Sequence, residues 1–189
     1  MKKTIAFLLL LVVNTSFGQT YVKFNGATAL IGVPNIGIET SIGKKLTFSF
    51  DVMASFWKSF DGHHPMQFYI FTPEVRYHFK EKYKGWYFGG HVGPDIYKIQ
   101  KWNYWNTNKY EEGFGYHIGA TIGYNFKITE KINLDAFVGG GWHQGFYKGY
   151  YNDGTPGRYD NIFHPEKKWN KSGEWLPYRG GVMITYKLN

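Results

Sequence analysis

The segment Leu46–Phe56, LTFSFDVMASF, alternates between apolar residues and mostly polar ones. A period of two residues is typical of a β-strand with one apolar face and one polar face. In a water-soluble barrel or sandwich the apolar face forms the core, whereas in a membrane barrel it points outward to lipid. The same segment therefore fits two opposite structures, and the remainder of the chain must decide between them.

The alternation recurs along the chain, and no segment beyond the first residues has a helical period. Eight strands are predicted, at residues 21–32, 36–43, 45–57, 67–79, 85–98, 113–126, 132–146 and 175–188. Aromatic residues make up 21% of the chain and glycine occurs 24 times, which fits strands and turns better than helices. The sequence therefore predicts an all-β protein.

Residues 1–18 have the pattern of a secretory signal peptide. Lys2 and Lys3 precede the apolar run Ile5–Val13, and Ser16–Gly18 forms a cleavage region. The apolar run is too short to span a bilayer as a helix. We therefore expect an exported mature domain at residues 19–189, with no disulfide because the sequence contains no cysteine.

The predicted connections are sorted by length. The short ones are the basic turns Gly43–Lys45, Lys80–Lys84 and Lys127–Lys131. The opposite end has Val33–Asn35 and the longer Lys58–Met66, Ile99–Glu112 and Tyr147–Glu174. Short turns on one side and long loops on the other are typical of an outer-membrane barrel.

The apolar face of the predicted strands carries no charge and includes Leu176 and Tyr178 on the last strand, and aromatic residues lie near both of its ends. The opposite face carries glycines, histidines and nearly balanced charges, as a narrow lumen requires. The prediction is an eight-stranded antiparallel up-and-down transmembrane β-barrel of the outer membrane, with short periplasmic turns and longer extracellular loops. The alternative is a soluble periplasmic lipocalin-like binder, which would have to enclose the apolar face.

The charges on the polar face predict a lumen charge network that plugs the barrel. Its predicted members are Glu39, Asp51, Glu74, Arg76, Asp95, Asp135 and Arg179. An unpaired charge in a confined interior is costly, so we expect these side chains to form ion pairs. A gated pore or proton path is the functional alternative, although the interior of eight strands is just filled by side chains.

Two sets of side chains offer weaker hypotheses about chemistry. His91, His117 and His143 point inward on three consecutive strands and are candidates for a three-histidine zinc site, with Asp95 as a supporting partner. The loop residues Ser59, Asp61, His63 and His64 have the residue types of a lipid hydrolase or acyltransferase. We expect paired lumen histidines and no metal, cofactor or catalytic residue.

The long loops contain the predicted binding surface. Its candidate residues are Trp102, Tyr104, Trp105, Tyr159 and Trp169. Aromatic platforms beside polar groups fit sugar rings and protein hot spots. The alternative is that these side chains pack on one another above the barrel and contact lipopolysaccharide head groups.

Several segments resemble a family of small outer-membrane proteins from Gram-negative bacteria that is catalogued only as a domain of unknown function. They are Val33–Val52, Phe68–Phe79, Gly85–Gly93 and Gly115–Phe126, with Gly32–Gly37 and Thr72–Phe79 as the most specific marks. The resemblance covers nearly the whole mature chain and implies an eight-stranded barrel without implying an activity. More distantly, the plan is similar to the transmembrane domain of outer membrane protein A.

These observations predict a non-enzymatic, monomeric outer-membrane protein with a structural or interaction role. The net charge of +8 favours outer-membrane lipid and lipopolysaccharide as partners, with a surface protein or glycan at the loops. Nucleic acid is not expected as a partner of an exported protein. The open alternatives are a small low-conductance channel and a lipid-modifying outer-membrane enzyme.

Overall fold

The computed structural model describes residues 18–59, 64–101, 106–161 and 168–189. The strands are β1 (Thr20–Asn25), β2 (Asn35–Ser41), β3 (Leu46–Trp57), β4 (Met66–His78), β5 (Gly85–Ile99), β6 (Lys109–Lys127), β7 (Ile132–Tyr151) and β8 (Asn170–Lys187). One short helix, α1 (Gly26–Ala29), follows β1, and a 3₁₀ turn (Tyr159–Asn161) precedes β8. Across these ranges no helix is long and apolar enough to cross a membrane.

The eight strands form one antiparallel sheet in sequence order, and the sheet closes on itself as a barrel. Closure comes from β1, which pairs with β2 along one edge and with β8 along the other. The all-β prediction with eight antiparallel strands is therefore confirmed. The short connections 42–45, 79–84 and 128–131 lie at one end, which we call the turn side, and the opposite end is the loop side.

The first strand is shorter than the predicted 21–32, and this part of the prediction is wrong. Asn25 ends β1 and caps α1, because its side-chain oxygen accepts a hydrogen bond from the Thr28 amide at 3.3 Å. The Asn25 amide group also donates to the Gly180 carbonyl at 3.1 Å. Helix α1 therefore replaces the predicted second half of this strand at the loop side.

The predicted loops Ile99–Glu112 and Tyr147–Glu174 are partly strand. β6 begins at Lys109, β7 continues to Tyr151, and β8 begins at Asn170. Residues 109–113 pair with residues 147–151 on the loop side, and residues 170–173 of β8 pair with residues 144–147 at the base of this ribbon. We call the segments 109–113, 147–151 and 170–173 the β6–β8 extension. Cross-strand aromatic pairs stabilise it, including Tyr110 with Tyr150, whose ring centroids are 5.7 Å apart.

The two faces of the closed sheet have opposite chemistry. Every strand presents exposed large apolar side chains on the exterior, for example Val22, Ile38, Phe50, Val75, Phe88, Ile118, Val138 and Ile184. Seven charged residues of these strands are buried in the interior, namely Lys23, Glu39, Asp51, Glu74, Arg76, Asp135 and Arg179. The apolar face of the opening segment therefore lies on the outside of the barrel.

Strand β8 breaks the predicted alternation. Gly139 pairs with Arg179 but Gly141 pairs with Leu176, so β8 holds one extra residue opposite β7. Such a bulge reverses the faces of all residues beyond it. Tyr178 consequently lies inside the barrel, whereas Trp175 is 76% exposed. The predicted exterior placement of Leu176 and Tyr178 is wrong.

Candidate functional site

The barrel interior is divided into two regions of different composition. The turn-side network consists of the buried ionic residues Lys23, Glu39, Asp51, Glu74, Arg76, Asp135 and Arg179. The loop-side cavity has a volume of about 130 Å³. Its walls are Phe68, Ile70, Asp95, Tyr97, Ile99, Lys101, His117, His143, Glu174, Leu176 and Tyr178.

Arg76 is the centre of the turn-side network and is fully buried. Its Nη1 lies 2.9 Å from Glu39 and 2.8 Å from Asp135, and its Nε lies 2.7 Å from Glu74. The guanidinium also stacks over the Tyr87 ring at 4.5 Å. The planar fork of arginine suits this arrangement because it can contact several carboxylates at once. One side chain thus connects carboxylates from β2, β4 and β7.

Two further cations extend the network around the barrel. Lys23 Nζ lies 2.9 Å from both Glu39 and Asp135, which ties β1 to β2 and β7. Arg179 Nη2 lies 3.0 Å from Asp51 and 3.5 Å from Glu74. Each carboxylate of the network therefore contacts at least one cation, as a buried ionic cluster requires.

Neutral polar groups and glycines complete this region. The Thr47 hydroxyl donates to Glu39 at 2.7 Å, and the Tyr87 hydroxyl donates to Asp135 at 2.8 Å. A Cβ at Gly123 would overlap the Tyr87 side chain. The interior glycines therefore provide the room in which large polar side chains fit across a narrow lumen.

In the loop-side cavity Asp95 contacts two histidines and no Lys or Arg of the described chain. Its Oδ2 lies 3.5 Å from His117 Nδ1, and its Oδ1 lies 3.0 Å from His143 Nε2. At the cavity wall Lys101 Nζ lies 3.3 Å from Glu111 and 2.5 Å from Glu174. The cavity thus combines apolar walls with an acid–histidine cluster and a lysine that is already paired.

Six predicted network members lie together in the turn-side network, namely Glu39, Asp51, Glu74, Arg76, Asp135 and Arg179. Asp95 lies apart from them, in the loop-side cavity. Lys23 was missing from the predicted network although it contacts two of its carboxylates. Its inward position in the strand alternation was the signal that could have included it.

The three candidate metal ligands do not converge on one point. His91 Nε2 lies 2.6 Å from the Tyr178 hydroxyl and its Nδ1 lies 3.2 Å from Thr121. His117 and His143 contact different oxygens of Asp95 instead. Among the residues that the structure describes, no group of three or more His, Cys, Asp or Glu side chains is arranged to hold a metal ion.

The predicted loop-binding residues are only partly described. Trp102, Tyr104 and Trp105 lie outside the described residues, as do Asp61 and His63 of the loop hydrolase hypothesis. Tyr159 packs against Tyr151, with ring centroids 5.7 Å apart, and Trp169 packs edge-on against Phe114 at 5.2 Å. Tyr159 therefore packs on the β6–β8 extension, as does Trp169, whose ring centroid also lies 4.6 Å from Lys148 Nζ.

Comparison with known proteins gives one match. A family model described as "Protein of unknown function (DUF3575)" matches residues 4–186. A search of curated proteins and a search of solved structures each found no match. The predicted resemblance to a domain of unknown function is confirmed by this match, which spans almost the entire sequence. The chain belongs to the DUF3575 family.

Proposed function

We propose that this protein is an eight-stranded β-barrel of the Gram-negative outer membrane with a structural or interaction role. The observation that carries the proposal is the exposed apolar exterior found on all eight strands around a buried ionic interior. Soluble monomers rarely expose apolar patches larger than a few hundred Å². In a bilayer the apolar exterior contacts lipid and not water, whereas a soluble lipocalin-like barrel would enclose its apolar face.

The distribution of aromatic residues supports insertion in a bilayer. On the turn side the exterior ring pairs include Tyr77 with Phe79 at 5.8 Å and Trp86 with Tyr124 at 5.3 Å. On the loop side Trp142 packs against Trp175 at 6.1 Å. Aromatic girdles at both ends of an aliphatic band are a property of outer-membrane barrels.

The ends of the barrel support an orientation. The turn-side connections carry Lys44, Lys45, Lys80, Lys82, Lys84 and Lys131, and the loop side carries the β6–β8 extension. Outer-membrane barrels have short periplasmic turns and longer extracellular loops. The extension is therefore the surface that meets lipopolysaccharide, a glycan or a surface protein in this proposal, while the turn-side network closes the lumen.

The test combines cell fractionation, gel migration and surface proteolysis. We expect the protein in the outer-membrane fraction, with an unheated form that migrates faster than the boiled form. Trypsin added to intact cells should cleave at Arg158, between β7 and β8, and leave the turn-side lysines uncut. A water-soluble periplasmic product would overturn membrane insertion, and cleavage at the turn-side lysines would overturn the orientation. Stable single-channel currents in planar bilayers would overturn the proposal of a closed lumen and favour the small-channel alternative.

A further inference from the structure

The loop-side cavity has the size and walls of a small-molecule site. Its volume is about 130 Å³, and Phe68, Ile70 and Leu176 give it an apolar wall. An apolar protein cavity of about 150 Å³ can hold a benzene molecule. The loop-side cavity is slightly smaller than that, so its size is close to the body of one aromatic ring.

The charges around the cavity favour a cation. Asp95, Glu111 and Glu174 supply three carboxylates and Lys101 supplies one ammonium, a net charge of −2 with neutral histidines. Lys101 is shared between Glu111 and Glu174, so Asp95 is the carboxylate that lacks a permanent cation among the described residues. Weakly screened negative charge in a concave site attracts cationic ligands.

Two buried polar atoms on the cavity wall need a hydrogen-bond donor or acceptor. A carboxylate can only accept, so in the neutral form of His117 the Nδ1 that faces Asp95 carries the proton and Nε2 is an acceptor. His117 Nε2 and the Tyr97 hydroxyl have no partner among the described residues, and their residues are only 1% and 8% exposed. Buried polar groups are normally paired, so both atoms are available to a ligand that enters this cavity.

We propose that the loop-side cavity binds a small organic cation, a primary ammonium group carried by an apolar body of about one benzene ring. The ammonium donates to Asp95, His117 Nε2 and the Tyr97 oxygen, and the rings of Tyr97 and Tyr178 attract it as a cation. The apolar body contacts Ile70 and Leu176. This site does not depend on membrane insertion.

The test uses three probes of equal shape with the folded mature chain in neutral detergent. Isothermal titration with benzylammonium should show saturable binding at one site, after subtraction of titrations into empty micelles. Benzyl alcohol should bind at least tenfold more weakly, and benzoate should give no saturable heat. Absence of saturable benzylammonium binding, or equal binding of the alcohol, would overturn the proposal. If the protein proves water-soluble, the same titration in buffer tests the site while the membrane proposal fails.

Variants locate the site. Asp95→Asn should weaken benzylammonium binding at least tenfold, whereas Glu81→Gln, which removes the same charge from an exposed turn-side residue, should leave it unchanged. Leu176→Phe fills the cavity without altering charge and should abolish binding. Wild-type affinity in either cavity variant would overturn the proposal, and Leu176→Phe decides the matter if Asp95→Asn does not fold.

Discussion

The turn-side network and the loop-side cavity occupy the same lumen but use their buried charges differently. In the network, Arg76, Lys23 and Arg179 contact four carboxylates directly. In the cavity, Asp95 is held by histidines, and open volume remains beside it. Long cations that reach across the lumen fill it, whereas short histidines leave room. The same inward-facing pattern therefore produces a packed ionic network at one level and a pocket at another.

Among the variants that test this comparison, removal of Arg76 should have the largest effect on the free energy of unfolding. Arg76→Met takes the shared cation from Glu39, Glu74 and Asp135, and breaking a buried ion pair costs about 3–5 kcal/mol. We expect that loss in the free energy of unfolding, measured by urea titration of the barrel folded in lipid vesicles. Lys84→Ala removes an exposed lysine whose partner Glu81 lies 3.6 Å away, and it should change stability little. Equal effects of the two variants would show that the network does not stabilise the barrel.

Two glycine-to-alanine variants test whether the interior of the barrel has room for an added methyl group. At Gly123 an added Cβ overlaps Tyr87, so Gly123→Ala should destabilise the barrel by about 1–3 kcal/mol. At Gly90 an added Cβ has no atom within 4 Å, and Gly90→Ala should be close to neutral. The same urea titration measures both. A neutral Gly123→Ala would mean that the lumen can widen around Tyr87.

The bulge in β8 can be tested through Tyr178, which borders both interior regions. Tyr178→Phe removes the hydroxyl that lies 2.6 Å from His91 Nε2, and we expect a loss of about 1 kcal/mol. Tyr116 lies on the exterior, and Tyr116→Phe should cost nothing measurable. If β8 had an uninterrupted alternation, both tyrosines would be exterior and the two variants would behave alike.

The smallest expected effect lies outside the barrel, where charges are nearer to water. Burial raises the pKa of Asp160, but hydrogen bonds from Arg158 and the backbone outweigh it, so this pKa lies below its usual value. A lowered pKa in the folded state contributes stability above the unfolded value, near pH 4, and that stability is lost as the pH falls through the folded value. At pH 7, Asp160→Asn should therefore speed amide exchange at the end of the β6–β8 extension. The local opening free energy should fall by less than about 1 kcal/mol. An identical exchange rate in the wild-type protein and the variant would remove Asp160 from the stabilisation of this region.

Much of the architecture could be predicted because it depends on local alternation. Strand character needs only neighbouring residues, and the scarcity of charge on one face of the predicted strands indicates which residues share a side. The sorting of short and long connections is equally visible in the chain. These properties were enough to predict eight antiparallel strands and six residues of the turn-side network.

What the sequence by itself determined was therefore the period of each strand and the chemistry of its two faces. Only the tertiary structure decided that Asn25 ends a strand, that β8 bulges at Tyr178, and that Asp95 lies apart from the ionic residues on neighbouring strands. The physical reason is that register, bulges and height in the lumen depend on pairing between strands far apart in the chain. A single extra residue in β8 reverses which side chains face inward without altering the composition of the strand.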